Sequence, residues 1–190
     1  TCIAPDYVLI HESMRDEFVN KYVNALHRFY GKNLSHSALM ARMINSANFQ
    51  RAKKLLDDAL GKGAVVLAGG NTSLEDLYVE PTLLGNVNSG MLIMQEEIFG
   101  PVLSVTTFND EAEALAIAND TLYGLGAGVW SRDGNTAYHM GCVIKAGRVW
   151  TNCYHAYPAH AAFGGYKQSG IGRENHKMML DHYQQTKNLL

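Results

Sequence analysis

Several absences narrow the class of this sequence before any motif is read. No apolar run approaches the roughly 20 residues that a membrane-spanning helix needs, and no signal peptide opens the chain. No block of like charge stands out among 16 Lys+Arg and 18 Asp+Glu, so a net charge of −2 points to neither nucleic acid nor an anionic membrane as partner. Cysteine is scarce. Cys2, Cys142 and Cys153 are an odd number without metal-type spacing, which argues against a metal site and against a secreted disulfide scaffold. A reducing compartment, the cytoplasm, is the expected location. No repeat and no linker interrupts the 190 residues, which read as one domain with a real core.

What is present fits a folded α/β chain: 47% hydrophobic and 18% charged residues. Tyr7 to Ile10 reads as a buried strand. Ser13-Met14-Arg15-Asp16 offers a capping-box-like helix start, and Met14, Phe18, Tyr22, Leu26 and Phe29 form one apolar face ending near Gly31. Ser46 is expected to cap a second helix running through Leu60, with a strand over 64–68 after the Gly61/Gly63 pair. Residues 78–84 read as extended, with Pro81 marking an edge or a break. Further strands are expected over 102–108, 126–130 and 148–152, and helices over 110–118 and 135–144. Cys153 to Gly172 reads as a functional loop, followed by a helix over about 174–182 and a strand over 186–190. This alternation predicts a mostly parallel sheet with helices on both faces.

No Gly-rich dinucleotide fingerprint follows a strand. Gly164-Gly165 leaves a loop and Gly124 to Gly128 leads into a strand, so any cofactor has its main binding domain elsewhere. Cys2 stands in a loop beside Thr1 and ahead of Pro5, where a thiol can be exposed and its thiolate stabilised. Most lone cysteines are instead small buried hydrophobes, the reading given to Cys142 and, at a strand end, to Cys153. Gln95 to Val102 is more specific: two adjacent carboxylates, an aromatic and Gly-Pro directly before a strand. A carboxylate there can accept hydrogen bonds from a ribose diol, and Phe99 can flank a flat ring.

At this point the residues resemble the NAD(P)-dependent aldehyde dehydrogenase superfamily, over essentially the whole chain. Thr1-Cys2 resembles the end of that family's Gly-Gln-x-Cys motif, and Glu96 to Pro101 its Glu-Glu-x-Phe-Gly-Pro motif. Asn119 to Gly124 resembles its Asn-x-x-x-Tyr-Gly-Leu stretch, and Phe163 to Gly170 its Phe-Gly-Gly-x-Lys-x-Ser-Gly motif. Ala162 departs from the Pro that usually precedes that motif. Residues 1–87 look like the family's dimeric class, whereas the chain from about Met94 onward looks like its bacterial tetrameric members.

The resemblance implies a thiol-bearing catalytic domain over 1–185, without its Rossmann-type cofactor domain, and the start of an oligomerisation strand at 186–190. It implies Cys2 as nucleophile, Glu97 as the carboxylate on the nicotinamide ribose, Phe99 as the aromatic beside the nicotinamide, and Arg51 as a further cofactor contact. Phe163 matches a wall of the substrate tunnel, and Tyr157, His155 and Cys153 fall in the loop shaping its mouth. With Trp150, these aromatics are expected to suit small or apolar aldehydes. The implied cofactor is NAD or NADP, and the implied assembly a homodimer or homotetramer. In the family the general-base glutamate and the oxyanion-hole asparagine precede the cysteine, so the 190 residues alone are expected to be inactive. Two other readings are a non-catalytic interaction module, and a thiol esterase pairing Cys2 with His155 or His160.

Overall fold

Side-chain alternation along three strands decides which helix covers which face of the main sheet. The structure, a computed structural model, describes residues 1–190 with the exception of the His36 side chain. The chain divides into two compact units, Thr1–Asp110 and Glu111–Leu190, where the lack of a linker reads as one domain in the sequence.

The first unit begins with β1 (Tyr7–His11) and α1 (Arg15–Tyr30), then α2 (Ser46–Gly61), β2 (Val65–Ala68), β3 (Thr72–Ser73), β4 (Tyr78–Val79), β5 (Thr82–Gly85) and β6 (Val102–Phe108). A four-stranded sheet has the order β1-β6-β5-β2. The β1/β6 and β5/β6 pairs are parallel and β2/β5 is antiparallel. Val8 lies opposite Val105 and Leu83 opposite Leu103, and with Ile10 they pack against Phe18, Val19 and Tyr22 of α1. Their neighbours Tyr7, Leu84 and Val102 point the other way and pack with Phe49, Leu55 and Leu56 of α2. Helices therefore cover both faces of this sheet, as the alternation predicts.

Helix termini are corrected in detail. A short 3-10 turn, Glu12–Met14, precedes α1, and the His11 side chain rather than Ser13 caps it. Met14 and Phe29, the ends of the predicted apolar face, are exposed. Asn45, not Ser46, caps α2: its side chain accepts the Asn48 amide at 2.9 Å. Pro81, which has no N–H to donate, separates β4 from β5 within the predicted extended stretch.

The second unit carries α3 (Glu111–Ala118), β7 (Tyr123–Gly124), β8 (Gly126–Val129), α4 (Gly134–Val143), β9 (Arg148–Thr151) and β10 (Tyr166–Lys167). Its ladders are small: β8/β9 is parallel and β7/β10 antiparallel. The prediction of one mostly parallel sheet therefore holds for the four-stranded sheet, not for the chain as a whole. The predicted final helix is a 3-10 turn, Lys177–His182. Asn175 and His176 both have positive φ (56° and 55°), which a right-handed helix does not admit. No regular element forms at 186–190, since a strand needs a partner ladder.

Candidate active site

The four sequence motifs fold into two local constructions, one in each unit. In the first unit, Cys2 is an exposed free thiol inside a turn closed by the Ala4 amide on the Thr1 carbonyl at 3.0 Å. Ile3 is buried and fixes the turn to the core. A cavity of about 270 Å³ opens beside it, lined by Thr1, Ala4, Asp6, Arg42, Glu97 and Phe99 among others. Cys2 flanks this cavity through its neighbours and is not itself part of the lining.

Why Glu97 and Phe99 stand where they do follows from the segment between them. Ile98 is fully buried, so it pegs the loop while its two neighbours face outward. Glu97 is exposed and the Phe99 ring is 53% exposed, both at the cavity. Phe99 adopts φ 50°, an uncommon conformation for a bulky residue that persists only when its surroundings determine it. They do so from two sides. The Arg51 guanidinium donates to the Glu97 carbonyl at 2.7 Å and to the Ile98 carbonyl. The Asp6 carboxylate accepts the Ile98 amide at 3.2 Å. Arg51 and Asp58 lie seven residues apart, on one face of α2. Asp58 accepts the Leu92 amide at 2.8 Å, so α2 holds the 92–98 segment at both ends. Hydrogen bonds from Lys62 and from Leu92 keep the Asp58 carboxyl below the usual range.

Arg51 therefore supports the loop through its backbone, a role the sequence reading missed. Asp6 was missed as well. Burial first, and then the nearby Glu97 charge, push its carboxyl up to about 6, while the Ile98 amide and the Arg51 charge pull the other way. The only sequence signal for it is an acidic residue directly ahead of a buried strand.

In the second unit Arg148 organises the predicted loop. Its guanidinium donates to the carbonyls of Ala156, Ala161 and Ala162 at 3.2, 2.9 and 2.8 Å. It also lies 5.9 Å from the Tyr157 ring centre and 5.8 Å from that of Phe163. Trp150 is buried and donates Nε1–H to Ala156 at 2.8 Å, so it is a platform for the loop rather than an exposed wall. Tyr157 packs edge-on against Phe163 at 5.4 Å. His155, exposed, lies against Tyr154 and Tyr157, in the unit that does not carry Cys2. Cys153 is an exposed free thiol beyond the end of β9. Cys142, read as structural, is also exposed, because α4 buries only Ala137 and leaves Tyr138 and Val143 exposed as well.

The third and fourth motifs interlock. Tyr166 pairs with Gly124 and Lys167 with Tyr123. The Lys167 ammonium donates to the Asn119 and Thr121 carbonyls at 2.8 and 2.7 Å, and Ser169 Oγ accepts the Gly124 amide at 2.9 Å. Gly124 is required by space: a Cβ there would lie 2.2 Å from the Lys145 carbonyl oxygen. Among the described residues no cluster of three or more His, Cys, Asp or Glu could hold a metal, and no helix is long and apolar enough to cross a membrane.

An exposed thiol in a turn beside a cavity with a carboxylate and an open aromatic ring defines a candidate site for nucleophilic chemistry next to a flat, hydroxyl-bearing ligand. Comparison with known proteins shows the family. The description "Aldehyde dehydrogenase family" matches residues 1–189, and the chain belongs to that family. It is 58% identical over 198 residues to an aldehyde dehydrogenase of Paracoccus denitrificans (strain Pd 1222), and 56% identical to acetaldehyde dehydrogenase 2 of Cupriavidus necator. Both alignments cover all of this chain, which spans only 38% of the length of these curated relatives. Among solved structures, an indole-3-acetaldehyde dehydrogenase complexed with NAD+ superposes with a TM-score of 0.87 at 37% identity, covering 96% of this chain and 38% of that one.

Proposed function

We propose that this chain is the thiol-bearing catalytic portion of an enzyme that oxidises an aldehyde to a carboxylic acid with NAD or NADP. The observation that carries this reading is the shared cavity of the Cys2 turn and the Glu97–Phe99 loop.

Glu97 and Phe99 fit the nicotinamide end of such a cofactor: a carboxylate able to accept ribose hydroxyls stands one peg away from a half-exposed ring. Arg51 completes that edge, first as a support of the loop and second as a contact to the ligand. When bound, the cofactor supplies the hydride acceptor. The Cys2 thiolate adds through Sγ to the aldehyde carbon, and the carbonyl electron pair moves to oxygen to give a thiohemiacetal. Loss of hydride from that carbon leaves a thioester on Cys2. Water, giving up a proton to the general base of the longer enzyme, then attacks the thioester carbon and expels the Cys2 thiolate, releasing the acid. Phe163, Tyr157, His155 and Cys153 serve the aldehyde side. The aromatic rings of Phe163, Tyr157 and Trp150 and the name of the Cupriavidus relative support a small or apolar substrate.

The reading extends to the rest of the protein. Residues 1–185 belong to the catalytic portion and 186–190 begin a strand that forms only on pairing across subunits of a homodimer or homotetramer. The location is cytoplasmic, in keeping with three free cysteines. The 190 residues alone are inactive and bind NAD+ weakly or not at all, because the general base, the oxyanion-hole amide and the main cofactor domain belong to the longer enzyme. An oxyanion donor alone is worth roughly 2.7–4 kcal/mol of barrier. Isothermal titration tests the point: micromolar NAD+ affinity of the isolated chain overturns it. In the full-length enzyme, Cys2→Ser is expected to lower aldehyde-dependent NADH formation by orders of magnitude while NAD+ affinity persists. Retention of most activity overturns the assignment of the nucleophile.

A further inference from the structure

Asp6 joins the segment that follows the Cys2 turn to the loop that carries Glu97 and Phe99. It lies four residues after Cys2 and directly ahead of β1. Its carbonyl accepts the Ser104 amide of β6 at 3.0 Å, so its backbone is fixed to the sheet. Its carboxylate Oδ1 accepts the Ile98 amide at 3.2 Å, across 92 residues of sequence. Ile98 is the fully buried peg between Glu97 and Phe99. Removing the Asp6 acceptor leaves a part-buried amide unsatisfied in the middle of a loop whose next residue, Phe99, already has φ 50°.

We propose that Asp6 is a positioning residue for the cofactor: its ionised carboxylate holds the Ile98 amide, and so sets Glu97 and Phe99 for the nicotinamide riboside half of a dinucleotide. The inference rests on the function proposed above and adds a residue and a regulation to it.

The charged groups facing Asp6 are Glu97 on the loop and Arg51 on α2; Arg42 lines the same cavity. Glu97 and Arg51 act in opposite directions on its ionisation, and burial is the largest influence. The carboxyl therefore changes charge near pH 6, within the range where a dehydrogenase can be assayed. A protonated Asp6 gives the Ile98 amide a neutral acceptor, roughly half as strong as the ionised one. Cofactor affinity then weakens on the acid side while the nucleophile turn stays in place. A purely structural Asp6 would instead alter unfolding without a matching change in cofactor binding.

The test uses the full-length enzyme and NAD+ as probe, with dissociation constants measured by fluorescence titration from pH 5 to pH 8. Thermal unfolding is followed under the same conditions. The wild type is expected to lose NAD+ affinity as pH falls through about 6. Asp6→Ala is expected to bind about tenfold more weakly at neutral pH, the equivalent of one charge-assisted hydrogen bond. That variant should raise the KM for NAD+ more than it lowers kcat at saturating cofactor. Asp6→Asn keeps a neutral acceptor and cannot ionise, so its affinity should no longer depend on pH between 5 and 7. An acid limb that persists in Asp6→Asn overturns the proposal. So does wild-type affinity in a folded Asp6→Ala, and if Asp6→Ala does not fold, the Asp6→Asn profile decides alone. A wild-type enzyme without aldehyde-dependent NADH formation defeats the function reading, and this proposal with it. Active wild type with unaffected Asp6 variants defeats this proposal only.

Discussion

The Asp6 carboxylate accepts the Ile98 amide at 3.2 Å, and the Arg51 guanidinium donates to the Ile98 carbonyl. One peptide residue is thus gripped at both its donor and its acceptor by side chains from two distant parts of the first unit. The grip matters because Glu97 and Phe99 flank that residue and carry the chemistry proposed for the cofactor edge. It also exposes a cost: Asp6 is held in a place that disfavours its charge, and this yields a stability prediction separate from the binding one.

Burial raises the Asp6 carboxyl from 3.8 to about 6, so the folded state binds more protons than the unfolded state between these values. Stability from this group therefore falls as pH rises through that window and is lowest above it. Asp6→Asn is expected to remove the fall. At pH 7–8 the variant should be more stable, by on the order of 1–2 kcal/mol after allowing for solvent screening of a part-exposed group. Below about pH 4 the advantage should vanish. Denaturant titrations of both proteins at several pH values measure the difference, and equal stability at pH 7.5 contradicts the account.

Arg51→Lys keeps the charge and loses the fork. A single ammonium cannot reproduce the planar donor pair aimed at the Glu97 and Ile98 carbonyls. We expect a loss of about 1–3 kcal/mol in unfolding free energy and a higher KM for NAD+ in the full-length enzyme, with kcat much less affected. An unchanged KM would show that the loop keeps its form without the fork.

Arg148→Met retains much of the stem's packing and removes three hydrogen bonds to loop carbonyls along with the charge near Tyr157 and Phe163. The loop should loosen and the KM for the aldehyde should rise, while NAD+ affinity stays near wild type. Steady-state kinetics with each substrate varied in turn separates the two. A rise confined to the NAD+ term counts against the substrate-side role of Phe163 and Tyr157.

Gly124→Ala should damage the joint between the third and fourth motifs. The added methyl meets the Lys145 carbonyl oxygen at 2.2 Å, which is backbone and cannot swing away. Overpacking of this kind costs about 1–3 kcal/mol or more, and hydrogen exchange at the Gly124 and Lys167 amides should speed up. Gly61→Ala, at a position with nothing within 4 Å, is the matched control and should be nearly neutral.

The family was legible in the sequence because its motifs are short, local and chemically specific. Glu-Glu-Ile-Phe-Gly-Pro needs no tertiary information to be recognised, and Cys2 gained its meaning from that neighbour rather than from its own surroundings. Strand and helix order in the first unit was also legible, since period-2 and period-3.6 patterns are carried by consecutive residues such as Tyr7 to Ile10 and Phe49 to Ala59. Caps were less so. His11 and Asn45 displaced Ser13 and Ser46 because a cap depends on the φ and ψ of its own residue, which composition does not specify.

What the sequence by itself determined is the family and the residue types offered to a site, a thiol, a carboxylate and an aromatic, together with the alternating pattern that builds a sheet with helices on both faces in the first unit. The tertiary structure alone decided which side chains hold those residues in place. Asp6 and Ile98 are 92 residues apart, and Arg51 and Glu97 are 46 apart. No local pattern marks such pairs, because each partner satisfies a backbone group whose need arises only once the loop has folded. The same holds for Cys142, whose apolar neighbours suggested a buried position until α4 was seen to bury only Ala137. Burial is a property of what a helix packs against, and the sequence of the helix does not contain it.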